Sequence, residues 1–281
     1  MTAQESTNRL QIGGKIAVNR IGLGAMRLSS GVLTRAETIS RASAKTILRR
    51  ALDLGLDFID TADIYADGEN EQLVGSFVPQ WAKVATKGGL YLTVGGEVKH
   101  RGRPDALREC CIASCQRLKR EPIDLYYLHR VDPTVPLEES IGSLLELKRE
   151  GKIREIGLSN VSLDELNACK DGEIAAVQNT LNIVDRSSAA IVEYCRSKQI
   201  VFVASGPLGG RPMVPGAPLA SSTGLLSDIA KSSGLTPVQV ALMWILNLSS
   251  NTVVIPGTTS IGHLEENAAT LQLFHTLRSG A

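Results

Sequence analysis

Eight short apolar runs, each followed by a helical pattern, constrain this chain more than any other feature. They fall at 20–23, 57–59, 83–86, 124–128, 153–158, 175–178, 200–204 and 252–255. Most are too short for buried helices and are almost continuously apolar, as strands covered on both faces must be. Between them, apolar residues recur at helical spacing. Ala44, Ile47, Leu48, Ala51 and Leu52 line one face, and Leu137, Ile141, Leu144 and Leu145 line another, with Pro136 before it and Gly151 after it. Leu225 and Ile229, then Val238, Ala241, Trp244, Ile245 and Leu248, continue the pattern, and Pro237 stands where a first helical turn tolerates it.

Parallel strands need long crossovers, usually helical. Eight such units in 281 residues match a (β/α)8 barrel, which takes about 250. The sequence therefore predicts an α/β fold, a (β/α)8 TIM barrel, spanning 1–281 as a single domain. A doubly wound open sheet would place G-x-G-x-x-G after its first strand. Gly22, Gly24 and residues 25–27 do not supply that spacing. The stretch 206–223, rich in Gly, Pro and Ser, is the one long irregular segment.

Charge and composition narrow the function classes. Lys plus Arg is 30 and Asp plus Glu is 29, with no basic block, so nucleic acid is not an expected partner. No apolar run approaches the ~20 residues of a membrane span, so no membrane association is expected. Residues 1–8 are polar and lack a signal-peptide core, so the expected location is cytoplasmic. The five cysteines, Cys110, Cys111, Cys115, Cys169 and Cys195, are odd in number and argue against a disulfide framework. The first three sit in a helical pattern with no completing pair at zinc-finger spacing, so no metal site is expected. They read as small buried hydrophobes, with Cys115 as the exposed one.

In a barrel of this type, residues just past the strand C-termini converge on one face, where chemistry resides. Five consecutive strands end in polar residues: Asp60, Lys87, His129, Ser159-Asn160 and Gln178-Asn179. Singly, each has a bland explanation, as a turn cap, a solvated amine or a structural imidazole. Together with Tyr65, five residues beyond Asp60, they specify a reaction. Hydride addition to a carbonyl generates an alkoxide that must be protonated as it forms. Tyr65 can donate that proton, but its ordinary pKa is about 10. A nearby Lys87 ammonium would lower it, Asp60 would pair with Lys87, and His129 would orient the substrate oxygen or relay the proton.

A second site is expected on the loops after the last two strands. Ile255-Pro256-Gly257-Thr258-Thr259-Ser260 runs into a helix start, offering backbone N–H groups and hydroxyls to an anion. Ser205-Gly206-Pro207-Leu208-Gly209-Gly210-Arg211 permits close backbone approach and adds a cation. Helix capping and a plain irregular loop are the structural alternatives. A dinucleotide pyrophosphate across both is the reading that also supplies a hydride donor.

These residues resemble the aldo-keto reductase family from about residue 21 to 271. The resemblance is carried by Asp60-Thr61-Ala62-x-x-Tyr65, Thr86-Lys87, Leu128-His129, Gly157-Leu158-Ser159-Asn160, Gln178-Asn179, Pro207-Leu208-Gly209 and Ile255-Pro256-Gly257-Thr258. It implies that Asp60, Tyr65, Lys87 and His129 form a catalytic tetrad. It implies NADPH, with NADH as the alternative, extended over the barrel mouth. Ser159, Asn160 and Gln178 would hold the nicotinamide carboxamide, with Gly24, Ala25 and Met26 and also Asp60 beside that end. Pro207, Leu208 and Gly210 would line the pyrophosphate, Gly257, Thr258 and Thr259 the adenosine phosphate, and Glu266 and Asn267 the adenine. Two departures stand out. Ser205 and Gly206 occupy the place where many members stack an aromatic ring on the nicotinamide. Thr259 and His263 occupy places where NADPH-preferring members carry Arg or Lys.

Met26, Ile64, Tyr65, His129 and Arg130 are the expected substrate contacts, with the basic segment 88–103 beside them. That segment holds Lys99, His100, Arg101 and Arg103; a solvated surface loop is the favoured reading, and attraction of an anionic substrate, such as a phosphorylated or carboxylated carbonyl compound, the alternative. The chain ends about ten residues past the last expected helix, which implies an open pocket. The pattern is similar to bacterial members of the family, pyridoxal reductases among them. The expected partner is a small-molecule carbonyl substrate, and the expected state a monomer or weak oligomer. Two other functions remain open: a cofactor-binding regulatory subunit with little turnover, and a metal-free aldolase using Lys87 as a Schiff base.

Overall fold

A computed structural model of the chain describes residues 9–30, 39–210, 219 and 224–279. Arg211, the cation expected after the seventh barrel strand, lies outside them, as do residues 1–8. The barrel strands are β3 (Leu23–Gly24), β4 (Phe58–Asp60), β5 (Lys83–Gly88), β8 (Ile123–Leu128), β9 (Ile153–Ser159), β10 (Ala176–Thr180), β11 (Val201–Ser205) and β12 (Thr252–Val254). All pair in parallel, in sequence order. A parallel bridge between Ile21 and Val254 joins the first strand to the last, with Gly22 N–H donating to the Val254 carbonyl at 2.9 Å.

The eight expected runs are these eight strands, with ends displaced by at most three residues. The helices between them are α1 (Arg41–Asp53), α2 (Glu69–Phe77), α3 (Pro104–Leu118), α4 (Leu137–Arg149), α5 (Leu163–Asn167), α6 (Ala189–Ser197), α7 (Leu225–Ser233), α8 (Pro237–Leu248) and α9 (Ile261–Ser279). Pro237 does open α8, behind a capping box in which Thr236 and Gln239 satisfy each other's backbone N–H groups. Among the described residues, no single helix is long and apolar enough to cross a membrane.

Strand alternation divides the core in two. On β8, Tyr126 points outward into the layer between sheet and helices, while Tyr127 points into the barrel. The inward ring requires a glycine opposite, since a Cβ on Gly157 would sit 2.3 Å from Tyr127. A hairpin that the periodicity does not announce closes the N-terminal end. It consists of β1 (Arg9–Ile12) and β2 (Ile16–Asn19), and its Ile12, Ile16 and Val18 pack on Phe58, Leu125, Tyr127 and Val253. With one end plugged, only the C-terminal rim is left for a ligand. A second hairpin, β6 (Leu90–Leu92) with β7 (Val98–His100), rises from that rim after β5. The segment 88–103 is therefore ordered structure rather than a loop. Cys115, expected to be exposed, is buried on α3 with Cys110 and Cys111.

Candidate active site

Four strand-end groups meet on the rim. Lys87 and Asp60 are almost completely buried, at 1% and 3% exposure. Lys87 Nζ donates to Asp60 Oδ1 at 2.6 Å and to the Thr61 carbonyl at 2.8 Å. Gln178 Nε2 donates to the other carboxylate oxygen at 2.7 Å, across the barrel mouth. Lys87 Nζ lies 5.2 Å from the centroid of the Tyr65 ring, and the Tyr65 and His129 rings meet edge to face at 6.0 Å.

Tyr65 is held there by a strained turn. Ala66 and Asp67, immediately after it, are both left-handed, with φ of 50° and 51°. Such positions cost about 1–3 kcal/mol each in non-glycine residues. Ala62, Ile64 and Leu90 pack around the ring as a small apolar cluster.

The electrostatics assign different jobs to the four groups. Burial raises the Tyr65 pKa above its ordinary value, and the Lys87 ammonium opposes that rise without cancelling it. The expectation that Lys87 would bring the phenol below 10 is therefore corrected: desolvation of the phenolate outweighs one ammonium that is already shared with Asp60. Burial pulls the Lys87 pKa down, but the Asp60 carboxylate and Tyr65 more than offset it, so the amine stays charged. Burial, then Lys87 and Arg130, push His129 well below the usual imidazole range. A neutral His129 donates one hydrogen bond and is a poor proton relay. Its Nδ1 is buried and unpartnered.

A cavity of about 600 Å³ opens over this cluster, within the range of small-ligand sites. Among the expected residues, Gly24, Met26, Asp60, Ile64, Tyr65, His129 and Arg130 line it. So do Ser159, Asn160, Gln178, Ser205, Gly206, Pro207, Leu208, Gly210 and Gly257. Lys87 lies behind the wall. Leu90, Val98 and His100, from the expected segment 88–103, and Ile255 and Pro256, from the expected loop after the last strand, also line it, as do Arg27 and Thr180, which the sequence did not point to. Leu90, Val98 and His100 needed the β6–β7 hairpin to reach it.

Several expected contacts are placed elsewhere. Ala25 is fully buried in the helix–sheet layer, its carbonyl accepting from Asn70. Thr258 is buried, and its hydroxyl accepts from Ser260 N–H at 3.0 Å, which ties it to its own loop. Thr259 and His263 are exposed beside the start of α9 and do not line the cavity. Glu266 and Asn267 lie further along α9; Asn267 is buried with Oδ1 unpartnered. Gln178 Nε2 gives one of its two N–H bonds to Asp60, which leaves the second N–H and Oε1 to offer. Asn160, left-handed at φ 55° as Asn tolerates, donates through Nδ2 to Ser159 Oγ at 2.9 Å and to the His129 carbonyl at 3.3 Å.

The cavity suits a polyanionic dinucleotide. Among the described residues, Asp60 is its only acidic lining residue, and that carboxylate is already paired. Backbone is accessible at Gly24, Gly206, Gly210 and Gly257. Gly24 and Gly257 pack so closely that a Cβ on Gly24 would lie 2.9 Å from the Ile255 carbonyl.

Directly behind the tetrad lies a second buried carboxyl. Asp63 N–H donates to the Lys87 carbonyl at 3.1 Å, and its Oδ1 is buried without a partner. Burial, then Glu71, push its pKa from near 3.8 up to about 7. A carboxyl whose folded pKa is raised favours the folded state below about pH 4 and loses that contribution as pH climbs toward 7. Asp63→Asn should therefore be more stable than wild type at pH 8, by roughly 1–4 kcal/mol, and the advantage should shrink on acidification to pH 5. Thermal melts across that range read it; a difference independent of pH would reject the raised pKa.

The comparisons agree with this geometry. The sequence profile of the aldo/keto reductase family matches residues 20–277. Pyridoxine 4-dehydrogenase of Escherichia coli is 36% identical over 279 residues, covering 95% of this chain and 94% of that one. An uncharacterized oxidoreductase of Schizosaccharomyces pombe is 37% identical over 265 residues, covering 92% of this chain and 84% of that one. The crystal structure of an aldo/keto reductase from Klebsiella pneumoniae, in complex with NADP and acetate, superposes with a TM-score of 0.76 at 27% identity, covering 94% of this chain and 89% of that one. A closed parallel barrel, a buried Lys–Asp pair under a tyrosine, and a family match over most of the length converge on one assignment: the chain belongs to the aldo/keto reductase family.

Proposed function

We propose that the protein reduces an aldehyde or ketone to its alcohol with NADPH, with Tyr65 as the proton donor. The observation that carries this reading is the Tyr65–Lys87–Asp60 arrangement, a neutral phenol beside a buried, charged amine. The bound nicotinamide would supply the hydride. Ser159 and Asn160, which line the cleft, would hold its carboxamide, and the loops after β11 and β12 its phosphates. NADPH is favoured because the family structure from Klebsiella pneumoniae binds NADP; NADH is the alternative.

His129 orients the carbonyl oxygen by donating a hydrogen bond. Tyr65 delivers its proton to the same oxygen as negative charge develops there. Lys87 stabilises the phenolate left behind, and Asp60 with the Thr61 carbonyl fixes the Lys87 amine. A Schiff-base aldolase needs a neutral amine, whereas Asp60 and Tyr65 favour the charged form of Lys87.

The test is direct. Purified protein, NADPH and a panel of aldehydes are mixed and nicotinamide absorbance is followed, with pyridoxal first because a relative is named pyridoxine 4-dehydrogenase. Oxidation of NADPH with stoichiometric alcohol formation is expected, with a lower KM for NADPH than for NADH. Tight NADPH binding without turnover of any carbonyl would favour the regulatory-subunit reading instead.

A further inference from the structure

We propose that the outer end of the cleft is an anion subsite, built by Arg130 and His100, that selects carbonyl compounds carrying a carboxylate or phosphate group. The inference rests on the carbonyl-reductase reading above and adds the substrate class. Of the four basic residues in the segment after β5, three have acidic neighbours outside the cleft. Lys99 pairs with Glu97 at 2.7 Å, Arg101 with Glu109 at 2.5 Å and Arg103 with Asp105 at 3.4 Å. His100 differs. It lines the cavity, because it stands opposite Leu90 in the hairpin register and one position from Lys99, and alternation turns neighbours to opposite faces.

Arg130 lines the same cavity and has no ion-pair partner among the described residues. The nearby carboxylate, Asp132, is buried and already accepts from Gly102 N–H at 3.0 Å and from Thr134 N–H and Oγ1 at 3.0 and 2.7 Å. The Arg130 guanidinium, with the His100 imidazole also lining the cleft and Asp132 as that imidazole's carboxylate neighbour, thus faces a cleft whose one acid among the described residues, Asp60, is paired with Lys87.

Topology separates Arg130 and His100 from the loops that would hold the dinucleotide phosphates. Around the barrel the order is β3, β4, β5, β8, β9, β10, β11, β12. His100 follows β5 and Arg130 follows β8, while the glycine loops follow β11 and β12, four places round and so on the opposite rim. Arg130 is also next in sequence to His129, with Cα atoms ~3.8 Å apart. An anionic group a short spacer away from a carbonyl held by His129 and Tyr65 therefore comes within reach of the Arg130 guanidinium, whose fork matches carboxylate and phosphate alike. Ile64 and Leu90 give the spacer an apolar wall.

Paired substrates test this in the enzyme with NADPH. One pair is 4-carboxybenzaldehyde and methyl 4-formylbenzoate; the other is glyceraldehyde 3-phosphate and glyceraldehyde. The first reports carboxylate selection and the second phosphate selection. Wild type should favour the anionic member of at least one pair by about tenfold in kcat/KM, chiefly through KM. The preference should shrink as KCl is raised, because the subsite is at the solvent-exposed rim. Arg130→Gln should lower the anionic-to-neutral ratio about fivefold or more, and Arg130→Glu should invert it. Equal kcat/KM within both pairs for wild type overturns the subsite, as does an Arg130→Gln variant that leaves the ratio intact. The salt series needs no variant and decides the matter if a substitution impairs folding. If wild type reduces no aldehyde, the reductase reading falls; calorimetric binding of 4-(hydroxymethyl)benzoate against its methyl ester then reads the subsite alone.

Discussion

Tyr65→Phe is expected to lower aldehyde reduction by about 10²–10⁴-fold, the usual contribution of a positioned general acid, while NADPH binding and melting temperature change little. The substitution removes one oxygen and keeps the ring, which packs with Ala62, Ile64 and Leu90. No neighbour can take over the proton. His129 is neutral, its pKa lowered by burial and by Lys87 and Arg130, so it holds no acidic imidazolium proton. Lys87 is fixed by Asp60 and by the Thr61 carbonyl, with its ammonium directed at them. The raised Tyr65 pKa keeps the phenol protonated at neutral pH. Reduction should therefore persist into alkaline solution and decline only as the phenol ionises, whereas the reverse oxidation, which needs phenolate, should rise over the same range. Stopped-flow turnover of wild type and variant, with fluorescence titration of NADPH, checks both parts. A variant within threefold of wild type would mean that the proton comes from elsewhere.

The barrel was legible because its strands are buried on both faces, which leaves runs such as 125–128 and 200–204 without a charged residue. The clustering of Asp60, Lys87 and His129 was legible because they interrupt that apolarity at one place, the strand C-termini, which a barrel brings together on one rim. What stayed hidden has specific causes. The β1–β2 hairpin carries alternation over only four residues a side, around Gly13 and Gly14, too little to stand out beside the long parallel strands. Gln178 reaches Asp60 across 118 positions of sequence, a contact that only barrel closure creates. Ala25 follows Gly24 directly, yet faces the core while Gly24 faces the cleft, because a one-residue step along an extended chain reverses the side. The sign of the Tyr65 shift depended on how much water the fold removes, and a strand-end pattern carries no measure of that.

The Lys87–Asp60 pair is where catalysis and stability can be separated. Lys87→Met leaves the Asp60 carboxylate, 3% exposed, with Gln178 as its remaining side-chain partner. Removing one member of a buried ion pair typically costs ~3–5 kcal/mol, because the survivor keeps its desolvation penalty without its counter-charge. Asp60→Asn should cost a comparable amount by stranding the ammonium on the Thr61 carbonyl. The double variant removes both charges, so its loss should fall below the sum of the single losses by about 1–3 kcal/mol. Activity should follow a different rule. All three variants should be reduced by similar factors, because the phenolate left by proton transfer needs an ammonium that is present and held in place, and residues acting as a unit do not lose activity additively. Urea unfolding and aldehyde turnover on the four proteins give the two cycles. Additive stability losses would show that the 2.6 Å contact carries no coupling. A double variant with restored turnover would show that the pair serves the fold alone, and that Tyr65 protonates the alkoxide without help from the charge beneath it.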